Sequence, residues 1–367
     1  MNDFQFLIDY FNGEPFIIQL VWVAIFVLFL IVIILIIYLK LLRNHLRENE
    51  RIVLKYSKKN ELLLITFLYA EVEDGGISSE QEIVINKLKR GIKNTFKREI
   101  IISTLLKLKN EISGEMAESI QNLYFQINLK SYALVKLKNK KWYIIAKGIR
   151  ELTLFQVKEA HDEVLKHIDH PKKEVRKEVQ LYLVNLFNFE GLIFLNQLKT
   201  QLSEWDQIQL LEELQKFENQ EIPDITSWLK STNDSVVIFA LKLAKIYNKF
   251  EMKDVLIDLI KHKSEKVRLE LIPVLSYLQV DDAKGVLKHT FNESSKYEKI
   301  EFFKLLENLA DDNDELFIIE HIHHENFEIK FSALKTLKNI NNNKFNNLEI
   351  KPSDIAYSKI VKFLKNN

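Results

Sequence analysis

One spacing, repeated along more than half of the chain, constrains its fold more than any single residue does. The seed is Val175-Arg176 followed by Val179, Leu183 and Leu186, and the same spacing returns at Val267-Arg268 with Leu271, Leu275 and Leu278. Sliding this template along the chain places a leucine-type residue at Leu152, Leu183, Leu214, Ala244, Leu275, Leu306 and Leu337, with successive gaps of 31, 31, 30, 31, 31 and 31 residues. Four residues earlier stand Gly148, Val179, Leu210, Ala240, Leu271, Phe302 and Ala333. Three residues later stand Phe155, Leu186, Phe217, Tyr247, Leu278, Leu309 and Ile340, and no member of the three columns is charged. Positions separated by four and three residues share one helix face, so every unit is expected to carry a buried helix in the same phase.

Ahead of each such helix a second amphipathic helix is expected, as at Glu163–Ile168, Ile222–Leu229, Lys253–Ile260 and Glu315–Ile322. Polar turns join the two, among them Asp169-His170-Pro171, Ser231-Thr232-Asn233-Asp234 and Lys263-Ser264-Glu265. Such residues start helices by fixing φ or by accepting orphan backbone N–H bonds. Neither helix of a unit can bury its apolar stripe alone, and stacking units would bury both. Only 8 Gly and 5 Pro occur, too few for the turn-rich layout of an all-β fold.

The run Val-Arg-x-x-(small or apolar)-x-x-x-Leu after a helix and a polar turn resembles the HEAT-repeat superfamily, in its short, PBS-lyase-type form. Val175-Arg176, Val267-Arg268 and, more loosely, Ile329-Lys330 match it, whereas Asp206-Gln207, Val236-Val237 and Glu298-Lys299 depart from it. The resemblance implies an all-α chain with an α-solenoid, a HEAT/armadillo-like superhelix of about seven 31-residue helical hairpins over residues 141–340, followed by a capping segment over 341–367. In such repeats the base usually pairs with an acid of the neighbouring unit, so Arg176 and Arg268 are expected to form part of a stacking ladder. Both are also candidates for contact with a partner. Trp205 and Trp228 are expected to fill gaps between helices, and an exposed tryptophan on the concave face would be a binding hot spot.

From Phe16 to Leu39 runs an uncharged stretch of 24 residues in which Gln19 is the only clearly polar side chain. A helix of that length spans about 36 Å, enough for the ~30 Å hydrocarbon layer. Trp22 and Tyr38 lie towards its ends, where amphipathic rings favour the interface. A cleaved signal peptide would want a basic start, a shorter apolar run and a small-residue cleavage site; residues 1–15 carry Asp3, Asp9 and Glu14 and no base. Lys40, Arg43, Arg47 and Arg51 crowd the other flank. The positive-inside rule then puts the short head, 1–15, outside and everything after the transmembrane helix in the cytoplasm. The run has no Gly and only Ala24 as a small residue, so a close GxxxG-type dimer is not expected. Anchor, basic neck and repeats together resemble bacterial single-pass proteins of the inner membrane that carry HEAT repeats. Ser113-Gly114-Glu115-Met116-Ala117-Glu118 and Asn233–Lys242 carry that second likeness.

The neck, 40–140, is helical but out of phase with the repeat. Ser79 and Glu82 form a capping-box pattern after Gly75-Gly76, predicting a helix to about Asn110; Ser113-Gly114 breaks it before a helix over Glu115–Asn128. Residues 81–150 hold 15 Lys and Arg against 5 Asp and Glu, and Lys87, Lys89, Arg90, Lys93, Lys97 and Arg98 fall within twelve positions. Contact with an anionic lipid surface is one reading and a solvated, lysine-rich helix face is the other. Nucleic acid is disfavoured, because Phe96, Tyr124 and Phe125 sit at apolar positions and a net charge of +1 excludes a globally basic binder.

No residue pattern marks a catalytic, cofactor or metal site. Cysteine is absent, and no phosphate-binding glycine loop, nucleophile elbow or H-E-x-x-H occurs. His321, His323 and His324, like His167 and His170, fall at inter-helix turns. Asp281-Asp282 and Asp311-Asp312-Asn313-Asp314 lack the glycine and glutamate of a calcium loop and read as helix caps. The expectation is a non-catalytic, membrane-anchored scaffold holding a membrane-associated protein partner. The alternative is a membrane-tethered ligand sensor or lyase-like enzyme with a pocket in the solenoid, since PBS-lyase-type repeats include chromophore lyases.

Overall fold

The structure is a computed structural model that describes residues 15–70, 77–217, 222–349 and 354–366, so the acidic head and the Gly75-Gly76 turn lie outside it. Among the described residues every regular element is a helix. The chain divides into two compact units, Met1–Tyr132 and Ala133–Asn367.

The first unit is built on α1, Phe16–Tyr69, a single helix of 54 residues with no Gly or Pro inside it. It is long and apolar enough to cross a membrane, and none of its most apolar window is buried. The helix expected over 16–39 does not stop at the end of the apolar run, because nothing after Leu39 breaks it. It buries side chains only near its far end, at Asn60, Leu64 and Phe67. There α2 (Ser79–Gly91), α3 (Thr95–Glu111) and α4 (Glu115–Gln126) pack on it. The cap of α2 lies one residue earlier than predicted: Ser78 accepts from Gln81 N at 3.3 Å, and Gln81 answers Ser78 N at 3.2 Å. The helix predicted to run to Asn110 is two helices, because the Asn94 side chain accepts from Lys97 N at 3.1 Å and begins a new one. Gly114, at φ +64°, separates α3 from α4 in a conformation that glycine tolerates without strain.

In chain order the remaining helices are α5 (Leu129–Leu137), α6 (Trp142–Leu154), α7 (His161–Leu165), α8 (Lys173–Phe187), α9 (Glu204–Leu214), α10 (Thr226–Leu229), α11 (Asp234–Ile246) and α12 (Lys253–Asp258). They continue with α13 (Glu265–Tyr277), α14 (Ala283–Thr290), α15 (Lys296–Leu309), α16 (Glu315–His321), α17 (Phe327–Ile340), α18 (Asn342–Asn346) and α19 (Ile355–Asn366). The periodic residues fall on α6, α8, α9, α11, α13, α15 and α17. Every residue of the central column and of the column four earlier is buried, and the later column is buried or half-buried throughout. Gly148 fits its column because α6 crosses α5 so closely that an added Cβ would stand 2.8 Å from Lys136 Cβ.

Three of these helices, α6, α11 and α13, also end alike. Gln156, Asn248 and Gln279 adopt φ of 53°, 50° and 54°. The next residues, Val157, Lys249 and Val280, donate N–H to the carbonyls of the column residues Leu152, Ala244 and Leu275 at 2.9, 2.8 and 3.0 Å. This left-handed cap satisfies carbonyls that a helix end leaves orphaned. Packing follows chain order: α6 on α8, α8 on α9, α11 on α13, α13 on α15, α15 on α17, and α17 on α19. A 2.9 Å bond from Lys242 Nζ to Gln207 Oε1 joins α11 to α9.

The connecting helices are shorter than predicted. The stretch expected to be helical from Ile222 starts only at Thr226, since Pro223 disfavours helical geometry before it and Asp224 accepts from Thr226 N at 2.8 Å. Between α8 and α9 the chain forms a 3₁₀ segment, Asn188–Asn196. Gly191 lies so close to α8 that a Cβ would meet Leu183 O at 2.2 Å.

Column phase predicts contrasting substitutions on one helix. Leu275 is fully buried, and Leu275→Ala should cost about 2–5 kcal/mol in denaturant unfolding. Tyr277→Ala, two residues on and 57% exposed, should stay within about 0.5 kcal/mol. Equal losses would contradict the phase.

Candidate functional site

The Val-Arg positions show how units are tied together. Arg268 donates through Nε to Glu298 Oε1 and through Nη1 to His262 O, each at 2.5 Å. Glu298 is buried and also caps α15, accepting from Ser295 N at 2.7 Å. Burial pushes its carboxyl up, but the bonds from Arg268 and Ser295 outweigh burial and hold it below the usual glutamate range. The pair lines a cavity of ≈310 Å³ that Thr290, Phe291, Lys299 and Phe302 also wall. Arg176 keeps only half of this arrangement. It donates to the turn carbonyls of His170 and Pro171 at 2.8 and 3.2 Å, and among the described residues it forms no ion pair. The residue matching Glu298 is Asp206, one methylene shorter and already bonded to Ser203 Oγ at 2.6 Å. The expected ladder is therefore made by Arg268 and not by Arg176. Lys330 makes the related contact, 2.7 Å to Asp354.

Farther along, Lys284 is 10% exposed and reaches Asp311 at 2.8 Å, Asp314 at 3.0 Å and Leu309 O at 2.8 Å. Lys288 also pairs with Asp314. Asp314 is buried; burial raises its carboxyl, and Lys288, the Asp311 backbone and Lys284 together bring it below its ordinary value. The acidic run read as a cap does both tasks, because Asp311 also accepts from Asn313 N at 2.7 Å. Lys253–Asp282 at 2.9 Å and Lys344–Glu315 at 2.5 Å join successive units in the same way. Asp169, Asn233 and Asn308 add bonds across sequence separations of 30 to 35 residues.

The histidines serve packing. His321 lies 4.5 Å from the Phe317 ring and 4.7 Å from that of Phe291, and His323 lies 4.4 Å from Tyr357. Burial, then neighbouring His321, lowers the His324 pKa below its ordinary value. Among the described residues no group of three or more His, Asp or Glu stands where it could hold a metal ion.

The basic neck separates into three sets. Lys40, Arg43 and Arg47 stand exposed on α1 just after the apolar run. Lys87, Lys89, Arg90 and Lys93 are exposed on and after α2. Lys97 and Arg98 are half-buried. The Lys97 ammonium sits 5.2 Å from the Tyr56 ring centre, and the Arg98 guanidinium sits 4.2 Å from that of Tyr132 while donating to Ile92 O at 3.0 Å. These two bases hold the unit together, which charge counting alone does not reveal.

The tryptophans part company. Trp228 is 3% exposed and fills the interior, whereas Trp205 is 63% exposed. Trp205 lies nine residues before its column leucine, where other units have Tyr143, Glu174, Ser235, Lys266, Tyr297 and Glu328. A column so rich in charge signals an exposed face. Six before the leucine lie Ile208, exposed, and Ile238, Leu269 and Phe331, half-buried. Leu269, Pro273, Tyr297 and Ile300 line a groove of ≈460 Å³ rimmed by Glu270, Glu301, Lys304 and Glu328.

No family model matches the chain, and no curated protein does. Among solved structures, an engineered protein is similar over 84% of this chain and 98% of its own length, at 14% identity and a TM-score of 0.35, below the level that defines a shared fold.

The inter-unit pairs give stability a defined pH dependence. Asp314 and Glu298 have folded pKa values below their unfolded ones, so their contribution is present above about pH 4.5 and is lost as pH falls through the folded values. Asp314→Asn should lower the melting temperature at neutral pH and flatten its fall between about pH 5 and 3 in calorimetry. An acid limb unchanged in the variant would remove Asp314 from this role.

Proposed function

We propose that the chain is a non-catalytic, membrane-anchored scaffold whose 31-residue units stack as a HEAT-like α-solenoid and dock a protein partner at the cytoplasmic face of the membrane. The observation that carries this reading is the exposed face of the in-phase helices. It offers Tyr143, Trp205, Ile208 and Tyr297 beside charged residues of the same columns in other units. Aromatic and aliphatic anchors inside a polar rim are what protein interfaces use. The buried acids Glu298 and Asp314 are committed to ion pairs between units, which favours scaffolding over acid–base chemistry.

Lipid contact falls to the stem in this reading. If α1 stands across the bilayer, Tyr56 lies seventeen residues beyond Leu39, about 25 Å from the surface at 1.5 Å per residue. Lys97 rests on Tyr56, so the cluster Lys87–Arg98 stands well past a Debye length of ~8–10 Å. Lys40, Arg43 and Arg47 remain within reach of anionic headgroups.

Two measurements test these roles. Affinity capture of full-length protein from detergent extracts should return a partner, and Trp205→Ala with Tyr297→Ala should weaken its recovery at least about tenfold. No reproducible partner, or one indifferent to both substitutions, would sink the docking face. In vesicles containing anionic lipid, replacing Lys40, Arg43 and Arg47 by Gln should weaken lipid enrichment by about 1 kcal/mol per base. The same change at Lys87, Lys89, Arg90 and Lys93 should leave enrichment unaltered, and the reverse ranking would put the neck against the membrane.

A further inference from the structure

Between the apolar run and the first buried side chain of α1, residues 40–59 form a helical stem whose apolar residues stand uncovered among the described residues. Leu42, Leu46, Asn49 and Val53 follow one another at spacings of 4, 3 and 4, and Tyr56, next in the same register, is already covered by Lys97. Those are the a and d positions of a left-handed coiled coil. Leu42, Leu46 and Val53 are 40%, 58% and 36% exposed. Carried back into the anchor, the same register puts Ile18, Ile25 and Val32 at a and Val21, Leu28 and Leu35 at d. β-Branched residues at a with leucine at d favour two parallel strands.

We propose that α1 pairs with α1 of a second copy of this chain, from Ile18 to Val53, as a parallel, in-register two-stranded coiled coil. The pairing takes its parallel sense from the anchored reading above, because two anchors inserted the same way can run only in one direction. Charge supports a second copy as the occupant. Lys40, Arg47, Arg51, Lys55 and Lys58 occupy outward b, c and f positions, and only Arg43 and Lys59 among the stem's bases flank the seam. Two copies therefore close without opposing most of their bases. At g, His45 faces the partner's Glu50 at e. Asn49, at d, meets its own copy, and a polar seam residue of this kind fixes register at some cost in stability. Size agrees as well: eleven seam positions between Ile18 and Val53, at roughly 70 Å² each, approach the ~800 Å² per partner of a stable interface. Lipid is a poor occupant, since an unbroken helix without Gly or Pro cannot fold its stem down onto the bilayer that its first half crosses. Leu41 and Leu54 lie off the seam.

The chain has no cysteine, so single introduced cysteines report without background. In native membranes holding the full chain, Leu42→Cys, Leu46→Cys, Asn49→Cys and Val53→Cys should form oxidative dimers roughly tenfold faster than Arg47→Cys, Arg51→Cys and Leu54→Cys, because a disulfide needs Cβ atoms about 4 Å apart. A flat profile, a maximum on the Arg47–Arg51 face, or monomers at every position would overturn the pairing. Mass photometry gives a second readout: Leu46→Lys with Val53→Lys should convert dimer to monomer at unchanged helicity, and Asn49→Leu should keep the dimer. A dimer mass that survives the double substitution would also overturn it. Carbonate extraction of each variant reads anchoring separately, so a lost anchor and a lost dimer give different results.

Discussion

Everything in the second unit depends on the burial of a stripe that no helix can bury alone. The in-phase helices each present two buried columns, and the in-phase helix one unit away packs on them along α6, α8 and α9 and again along α11, α13, α15 and α17. The polar bonds obey the same rule. Arg268 to Glu298 and Lys284 to Asp314 span 30 residues each, and the bonds made by Asp169, Asn233 and Asn308 span 30 to 35. A buried charge needs its partner close by, so each ion pair fixes the register in which one unit lies against the next. Hydrophobic burial gives the units their reason to stack, and the ion pairs select among the ways of doing so.

How much of this could be read from the sequence follows from the range of each interaction. Periodic apolar positions report an average over a whole helix face, so the seven buried helices and their phase were plain. Individual polar contacts depend on the reach of single side chains. Arg176 and Arg268 occupy equivalent positions, yet only Arg268 finds an acid, because Glu298 is long enough to cap its own helix and still meet the neighbour. Asp206 is shorter and is held by Ser203. The helix starts failed for a related reason: Ser78 and Ser79 can each accept a cap bond, and a shift of one residue is decided by packing that a local pattern does not contain.

The residues singled out as contact candidates divide along the same line. Trp205 could have been recognised as exposed, since its column carries Glu174, Lys266 and Glu328 in other units. Trp228 shares no such column, and its burial becomes visible only once α10 is seen to lie against α11. Lys97 and Arg98 look like part of one basic patch in the sequence. Their rings, Tyr56 and Tyr132, are 41 and 34 positions away and are brought to them by the helix packing alone.

Continuity of α1 changes what an anchor can do. If the apolar run crosses a bilayer, a flexible linker after it would leave the rest of the chain free to approach the lipid surface at any angle. A helix that continues from Phe16 to Tyr69, and is gripped at Asn60, Leu64 and Phe67, would instead carry the first unit's other helices at a set height above that bilayer. Height decides which bases feel the lipid, because surface potential decays within a Debye length while the stem extends for several. The same continuity leaves the stem's apolar stripe uncovered among the described residues. A stripe left uncovered among the described residues is a standing cost, and a second helix presenting the same seam would remove it without burying the bases on the opposite side.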